Sequence, residues 1–125
     1  MASVLIAEDI TSVREALASI LRECGHEVVE TKNGTEAIAA YRARASDLVL
    51  CDLYMPGKAG LETIKELCGE FPGVKIIAMS GSGPLGPVDM IPVVRRLGAL
   101  DFLPKPIKRE ALLEAVKRAL GRVKG

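Results

Sequence analysis

Tryptophan is absent, phenylalanine and tyrosine occur twice each, and His26 is the single histidine among the 125 residues. With so few aromatics, Ala, Leu, Ile and Val must build the core, and no row of stacking rings is available to hold nucleic-acid bases. Excess charge of either sign is lacking too. The 17 Lys and Arg stand against 16 Asp and Glu, so no overall field draws in nucleic acid or a membrane surface. No apolar stretch approaches the roughly 20 residues needed to span a bilayer, and no secretory leader pattern opens the chain. Cysteine is sparse and odd in number: Cys24, Cys51 and Cys68 are widely spaced within apolar patterns. They read as small buried residues of a reducing, cytoplasmic compartment rather than a disulfide framework. Cys24-Gly25-His26 has no second ligand cluster and reads as ordinary sequence, not half a metal site. The length suits one domain.

What is present is alternation. Five short apolar runs, Val4–Ala7, Val28–Glu30, Leu48–Cys51, Val74–Met79 and Leu100–Leu103, are separated by helical patterns. Val13, Ala16, Leu17, Ile20 and Leu21 follow helical spacing, with Ser12 and Glu15 as a capping box at the start. Asn33 and Glu36 repeat that start signal before Ala37, Ile38 and Tyr41. Leu61, Ile64, Cys68 and Phe71 form a third stripe, closed by Pro72-Gly73, and a stripe from Ala111 to Leu120 forms the last. The fourth helix is marked by Pro87 and Pro92. An interior proline removes a backbone bond at a cost of ~3 kcal/mol, so a short, kinked or late-starting helix is expected there. Strand and helix in strict alternation predict an α/β domain, doubly wound, with five parallel strands covered on both faces.

Two of the runs end in acids. Val4–Ala7 leads into Glu8-Asp9, and Leu48–Cys51 into Asp52. In open α/β sheets, functional groups sit just past the carboxyl ends of the strands. If the two strands are neighbours, three carboxylates converge, and their mutual repulsion calls for a cation; an oxygen-only set suits Mg²⁺. The fourth strand ends in Ser80, and the fifth leads to Lys105 in Leu103-Pro104-Lys105-Pro106. A carboxylate, a divalent ion, a hydroxyl and an ammonium together describe a phosphoryl-transfer site, with Asp52 as the nucleophile. Each group alone would suit an ordinary ion pair at a sheet edge; the coincidence at successive strand ends is what favours chemistry.

These residues resemble a known family. Glu8-Asp9, Asp52 within Asp52-Leu53-Tyr54-Met55-Pro56 followed by Gly60, Ser80 after an apolar strand, and Lys105-Pro106 are similar to the receiver domains of bacterial two-component response regulators, of the chemotaxis-regulator type. The resemblance covers residues 1–125 and implies a flavodoxin-like (βα)5 fold with strand order 2-1-3-4-5. It implies that Asp52 accepts a phosphoryl group from a sensor histidine kinase or a histidine phosphotransfer protein. It implies Mg²⁺ on Asp9, Asp52 and the backbone carbonyl of Tyr54, with Glu8 acting through water. Lys105 would pair with the acids at rest and with the phosphoryl group afterwards. Ser80 and Phe102 would move together as a switch, and the bond before Pro106 would be cis. The added charge, roughly −1.5 to −2 at pH 7, would bias a protein-binding surface on helix 4, strand 5 and helix 5 toward a downstream protein target. By spacing alone, Phe102 is also an ordinary core residue and Tyr54 an ordinary surface one.

One departure from the family is the segment Gly81-Ser82-Gly83-Pro84-Leu85-Gly86-Pro87, which makes the stretch from Ser80 to Lys105 longer than usual and predicts a reshaped output face. Its Gly81-x-Gly83-x-x-Gly86 matches a dinucleotide fingerprint formally, but that motif belongs to the first strand–helix turn of its fold. A phosphatase of the haloacid-dehalogenase type would carry a second Asp two residues after the nucleophile; Tyr54 stands there and cannot act as acid or base at neutral pH. The chain is therefore expected to catalyse only its own phosphorylation and dephosphorylation. A receiver that is never phosphorylated is the remaining reading, and the intact acids and lysine argue against it. Lys108, Arg109, Lys117, Arg118, Arg122 and Lys124 read as a solvated helix face beside a favourable dipole, so no membrane or direct nucleic-acid contact is expected. Whether the receiver stands alone or heads a longer regulator is left open.

Overall fold

The computed structural model describes residues 2–55, 59–81 and 87–121. Its five strands are β1 (Ser3–Ala7), β2 (Glu27–Thr31), β3 (Leu48–Asp52), β4 (Ile76–Ser80) and β5 (Asp101–Pro104). They form one parallel sheet in the order β2-β1-β3-β4-β5, the flavodoxin-like order. The helices are α1 (Thr11–Glu23), α2 (Gly34–Ala43), α3 (Gly60–Glu70), α4 (Pro87–Leu97) and α5 (Arg109–Gly121). No helix among the described residues is long and apolar enough to cross a membrane.

The period-2 pleat sorts the apolar runs into two cores. Val4, Ile6, Leu48, Leu50, Ile77, Met79 and Leu103 pack with α1 and α5. Leu5, Ala7, Val49, Cys51, Ile76, Ala78 and Phe102 pack with α2, α3 and α4. Burial on both faces is why the three central strands read as unbroken apolar sequence. Register then sets what stands at the strand ends. Ala7 pairs with Cys51, so Glu8 follows β1 where Asp52 ends β3; Ser80 pairs with Pro104, and Lys105 follows at once.

Four local expectations are corrected. Helix α1 begins at Thr11 with no side-chain cap, so Ser12 and Glu15 form no capping box; Ile10 N–H, just ahead of the helix, donates instead to Glu8 Oε2 at 3.1 Å. The residues α1 buries are Arg14, Leu17, Ala18 and Leu21, with Ala16 exposed. Cys24 is exposed, because it lies at the C-cap beyond the last buried turn. Asn33, by contrast, caps α2 as expected, accepting from Glu36 N at 2.8 Å. Helix α4 runs eleven residues and is not short; Pro92 lies inside it on the solvent side. The Gly/Pro segment expected to reshape the output face falls largely on residues 82–86, and the basic pair Arg122 and Lys124 on the C-terminal residues; both lie outside the described residues.

Candidate functional site

Main-chain pairing delivers the site residues. The Glu8 N–H donates to Thr31 O at 3.1 Å, which carries the chain one residue beyond β1 before it turns into α1. Leu53 N donates to Met79 O at 2.9 Å, and Lys105 N to Ser80 O at 2.8 Å, so each crossover starts in register with its neighbour. Gly60 permits the turn after β3. Its N–H donates to Leu53 O at 3.1 Å, and a Cβ added there would lie 2.1 Å from the Asp52 carbonyl oxygen. Only glycine lets α3 start this close to the strand end.

Glu8, Asp9, Asp52 and Lys105 are brought together. Glu8 is fully buried and Asp52 is 2% exposed. The Lys105 ammonium lies 2.5 Å from Glu8 Oε1 and 3.0 Å from Asp52 Oδ2. Asp52 Oδ1 also accepts from Tyr54 N at 3.3 Å. Burial drives the Glu8 carboxyl up to about 7, against the opposing hydrogen bond from Lys105. Burial alone would lower Lys105, but its bonds to Glu8 and Asp52 outweigh that and hold it above the usual lysine range. The Cys51 thiol, wholly enclosed beside these acids, is pushed up to about 12 and is chemically inert.

Carboxylate oxygens from Glu8, Asp9 and Asp52 lie within 4.8 Å of one another. Among the described residues one cation, Lys105, serves two of the three. Asp9 Oδ1 is buried and, among the described residues, has no hydrogen-bond partner. A buried orphan carboxylate oxygen is costly, and beside two further carboxylates it is a ready ligand for a hard divalent ion. The donor set fits Mg²⁺.

Ser80 and Phe102 stand elsewhere on the sheet. Ser80 is buried and shares its pleat with Ile76 and Ala78, on the α4 side, whereas Asp52 shares its pleat with Leu48 and Leu50, on the α1 side. Phe102 is buried in the same α4-side core as Val94 and Ala99. The Lys105–Pro106 peptide is cis. Tyr54, 43% exposed, stands at the mouth. Beside it a groove of about 790 Å³ opens onto Asp52 and Lys105, walled by Ile10, Val13, Leu17 and Ile107. On α5, Arg109 pairs with Glu23 at 3.2 Å and Arg118 with Asp101 at 2.9 Å, so two of its basic residues are engaged in ion pairs.

Sequence reasoning missed Arg14. It is a nine-tenths-buried arginine on α1 whose Nη1 donates to the Glu8 carbonyl at 2.9 Å. The available signal was its position: Arg14, Leu17, Ala18 and Leu21 follow an i, i+3, i+4, i+7 pattern with a charge at its head.

Residues 4–117 match the family model described as the response regulator receiver domain. The chain is 33% identical over 120 residues to the chemotaxis protein CheY of Listeria monocytogenes, covering 95% of this chain and 98% of that protein. It is 35% identical over 125 residues to the response regulator protein FleR of Pseudomonas aeruginosa, and there spans 26% of the longer protein. The crystal structure of the receiver domain of NtrX from Brucella abortus is similar at a TM-score of 0.87 and 31% identity, covering 94% of this chain and 97% of that one.

Proposed function

Because the chain belongs to the family of response regulator receiver domains, a signalling module and not a metabolic enzyme, we propose that residues 1–125 form one receiver in which Asp52 accepts a phosphoryl group in the presence of Mg²⁺. Receivers of this family bind Mg²⁺ and interact with histidine kinases and downstream effectors. The observation that carries the reading is the cluster of buried Glu8 and Asp52 with half-buried Asp9, whose buried Oδ1 has no hydrogen-bond partner among the described residues, beside the Lys105 ammonium.

Asp9, Asp52 and the Tyr54 carbonyl would hold the ion, with Glu8 reaching it through water. When bound, the ion neutralises charge on the phosphoryl oxygens. Asp52 attacks the phosphorus of a phosphohistidine. The new P–O bond forms as the P–N bond breaks, and its electron pair returns to the donor imidazole. Lys105, already 3.0 Å from Asp52, turns from the carboxylate to the transferred oxygens. The groove along α1 gives a donor protein an apolar footing beside Asp52. Ser80 then engages the phosphoryl group and Phe102 repacks behind it. Together they bias the surface of α4, β5 and α5 toward a downstream protein. A cytoplasmic location and a self-limited chemistry, in which only the chain's own phosphorylation and hydrolysis are catalysed, complete the reading.

Intact-mass spectrometry after incubation with acetyl phosphate tests it. One added phosphoryl group is expected with Mg²⁺, and none after chelation or in Asp52→Ala. Turnover of a general phosphomonoester would point to an enzyme instead.

A further inference from the structure

A buried guanidinium is expensive unless its surroundings use it. Arg14 has only 11% of its side chain exposed, yet none of its bonds goes to a carboxylate of the acidic site. Its Nη1 donates 2.9 Å to the main-chain carbonyl of Glu8, and its Nε faces Glu30 Oε1 at 3.5 Å. Glu30 is itself held by Arg22 at 3.1 Å, and Arg22 donates in turn to Val28 O at 3.2 Å. The other end of the Glu8 residue is also fixed, since its N–H donates to Thr31 O at 3.1 Å. The Thr31 hydroxyl closes the bracket by donating to Ile6 O at 2.8 Å. Glu8 is thus gripped at both N–H and C=O, and the gripped carbonyl belongs to the peptide that joins it to Asp9.

We propose that Arg14 is a positioning residue for the metal site: by holding the Glu8–Asp9 peptide, it aims the Asp9 carboxylate into the acidic cluster while Glu8 turns to Lys105. The inference rests on the Mg²⁺ reading above. It explains why the charge is tolerated under α1 and why Asp9 keeps a buried oxygen oriented without any hydrogen bond among the described residues. The chain tethers Asp9 through its backbone.

The sign of the effect separates positioning from simple electrostatics. A nearby cation repels Mg²⁺, so a bystander Arg14 would weaken ion binding, and its removal would tighten it. A positioning Arg14 predicts the opposite. Groups that orient metal ligands typically alter affinity by 10–100-fold, and Arg14→Gln is expected to weaken Mg²⁺ binding by about 10-fold, the lower end because it acts through the backbone. Isothermal titration with MgCl₂ on wild type, Arg14→Gln and Arg14→Lys reads this, with circular dichroism confirming the fold. Arg14→Lys, which keeps a donor, recovers most of the loss. Unchanged or tighter binding in folded Arg14→Gln overturns the inference. Should that variant fail to fold, Arg14→Met, whose apolar chain suits the buried position, decides by the same sign: weaker Mg²⁺ binding supports the inference, and unchanged or tighter binding overturns it. No Mg²⁺ binding by the wild type would overturn the underlying metal reading instead, a different result from binding that ignores Arg14.

Discussion

Gly60 leaves no room for a side chain, since its Cβ would stand 2.1 Å from the Asp52 carbonyl oxygen and 2.4 Å from Leu53 Cα. Both obstacles are backbone, so relief means moving the end of β3 that carries the acceptor. Gly60→Ala is expected to lose about 3 kcal/mol in urea denaturation, the upper end for overpacking, and to weaken Mg²⁺ binding with it. Glu8 gives a second residue-scale outcome. Its carboxyl titrates at about 7 in the folded state, against 4.5 for an unperturbed glutamate. The folded protein therefore binds the extra proton between those limits, and the stability from this group falls as pH rises through them. Without metal, Tm is expected to decline as pH rises from about 4.5 to about 7. Glu8→Gln flattens that decline, and Mg²⁺ raises the wild-type Tm more at the alkaline end of that range than at the acid end. A wild-type slope that survives Glu8→Gln would assign it to other groups. The acids themselves were legible in the sequence because each ends an apolar run. Arg14 was not, because its role is to hold a main-chain carbonyl, and a carbonyl leaves no mark in a sequence.

At the scale of elements, the strands were readable because burial on both faces leaves only apolar residues in them. Their limits were less so. Val74 and Lys75 read as the start of β4, yet the strand begins at Ile76, where pairing with Val49 opens the β3–β4 register and Val49 N donates back to Lys75 O at 2.8 Å. The start of α1 was misread because the Glu8 side-chain carboxylate, accepting from Ile10 N just ahead of the helix, stands where a serine cap was expected. Pro87 and Pro92 were expected to leave α4 short, kinked or late-starting; the helix is not short, running eleven residues through Pro92 with the ring on the solvent side. That position still lacks an N–H for the Val88 carbonyl. Pro92→Ala restores the donor and should stabilise the protein by about 1–3 kcal/mol in urea denaturation, within the penalty of an interior proline. A loss of stability would mean that the proline's restriction of the unfolded chain outweighs the missing bond.

For the whole molecule, the sheet order does the assembling: β1 and β3 are neighbours although 40 residues of chain separate Ala7 from Leu48, and that adjacency turns three acids scattered in sequence into one cluster. The separation of faces places Glu8 and Asp52 on the α1 side, toward the groove, and Ser80 and Phe102 on the α4 side, toward the proposed output surface. The phosphoryl chemistry proposed for the strand ends would therefore lie between these two faces. The central claim is that Asp52 becomes an acyl phosphate. Borohydride cleaves such an acyl phosphate reductively and leaves homoserine, so the trapped protein can be read by peptide mass mapping. After treatment with acetyl phosphate and Mg²⁺, homoserine at position 52 and at no other acid is the predicted result. An unmodified Asp52, or homoserine at Asp9 instead, would contradict it.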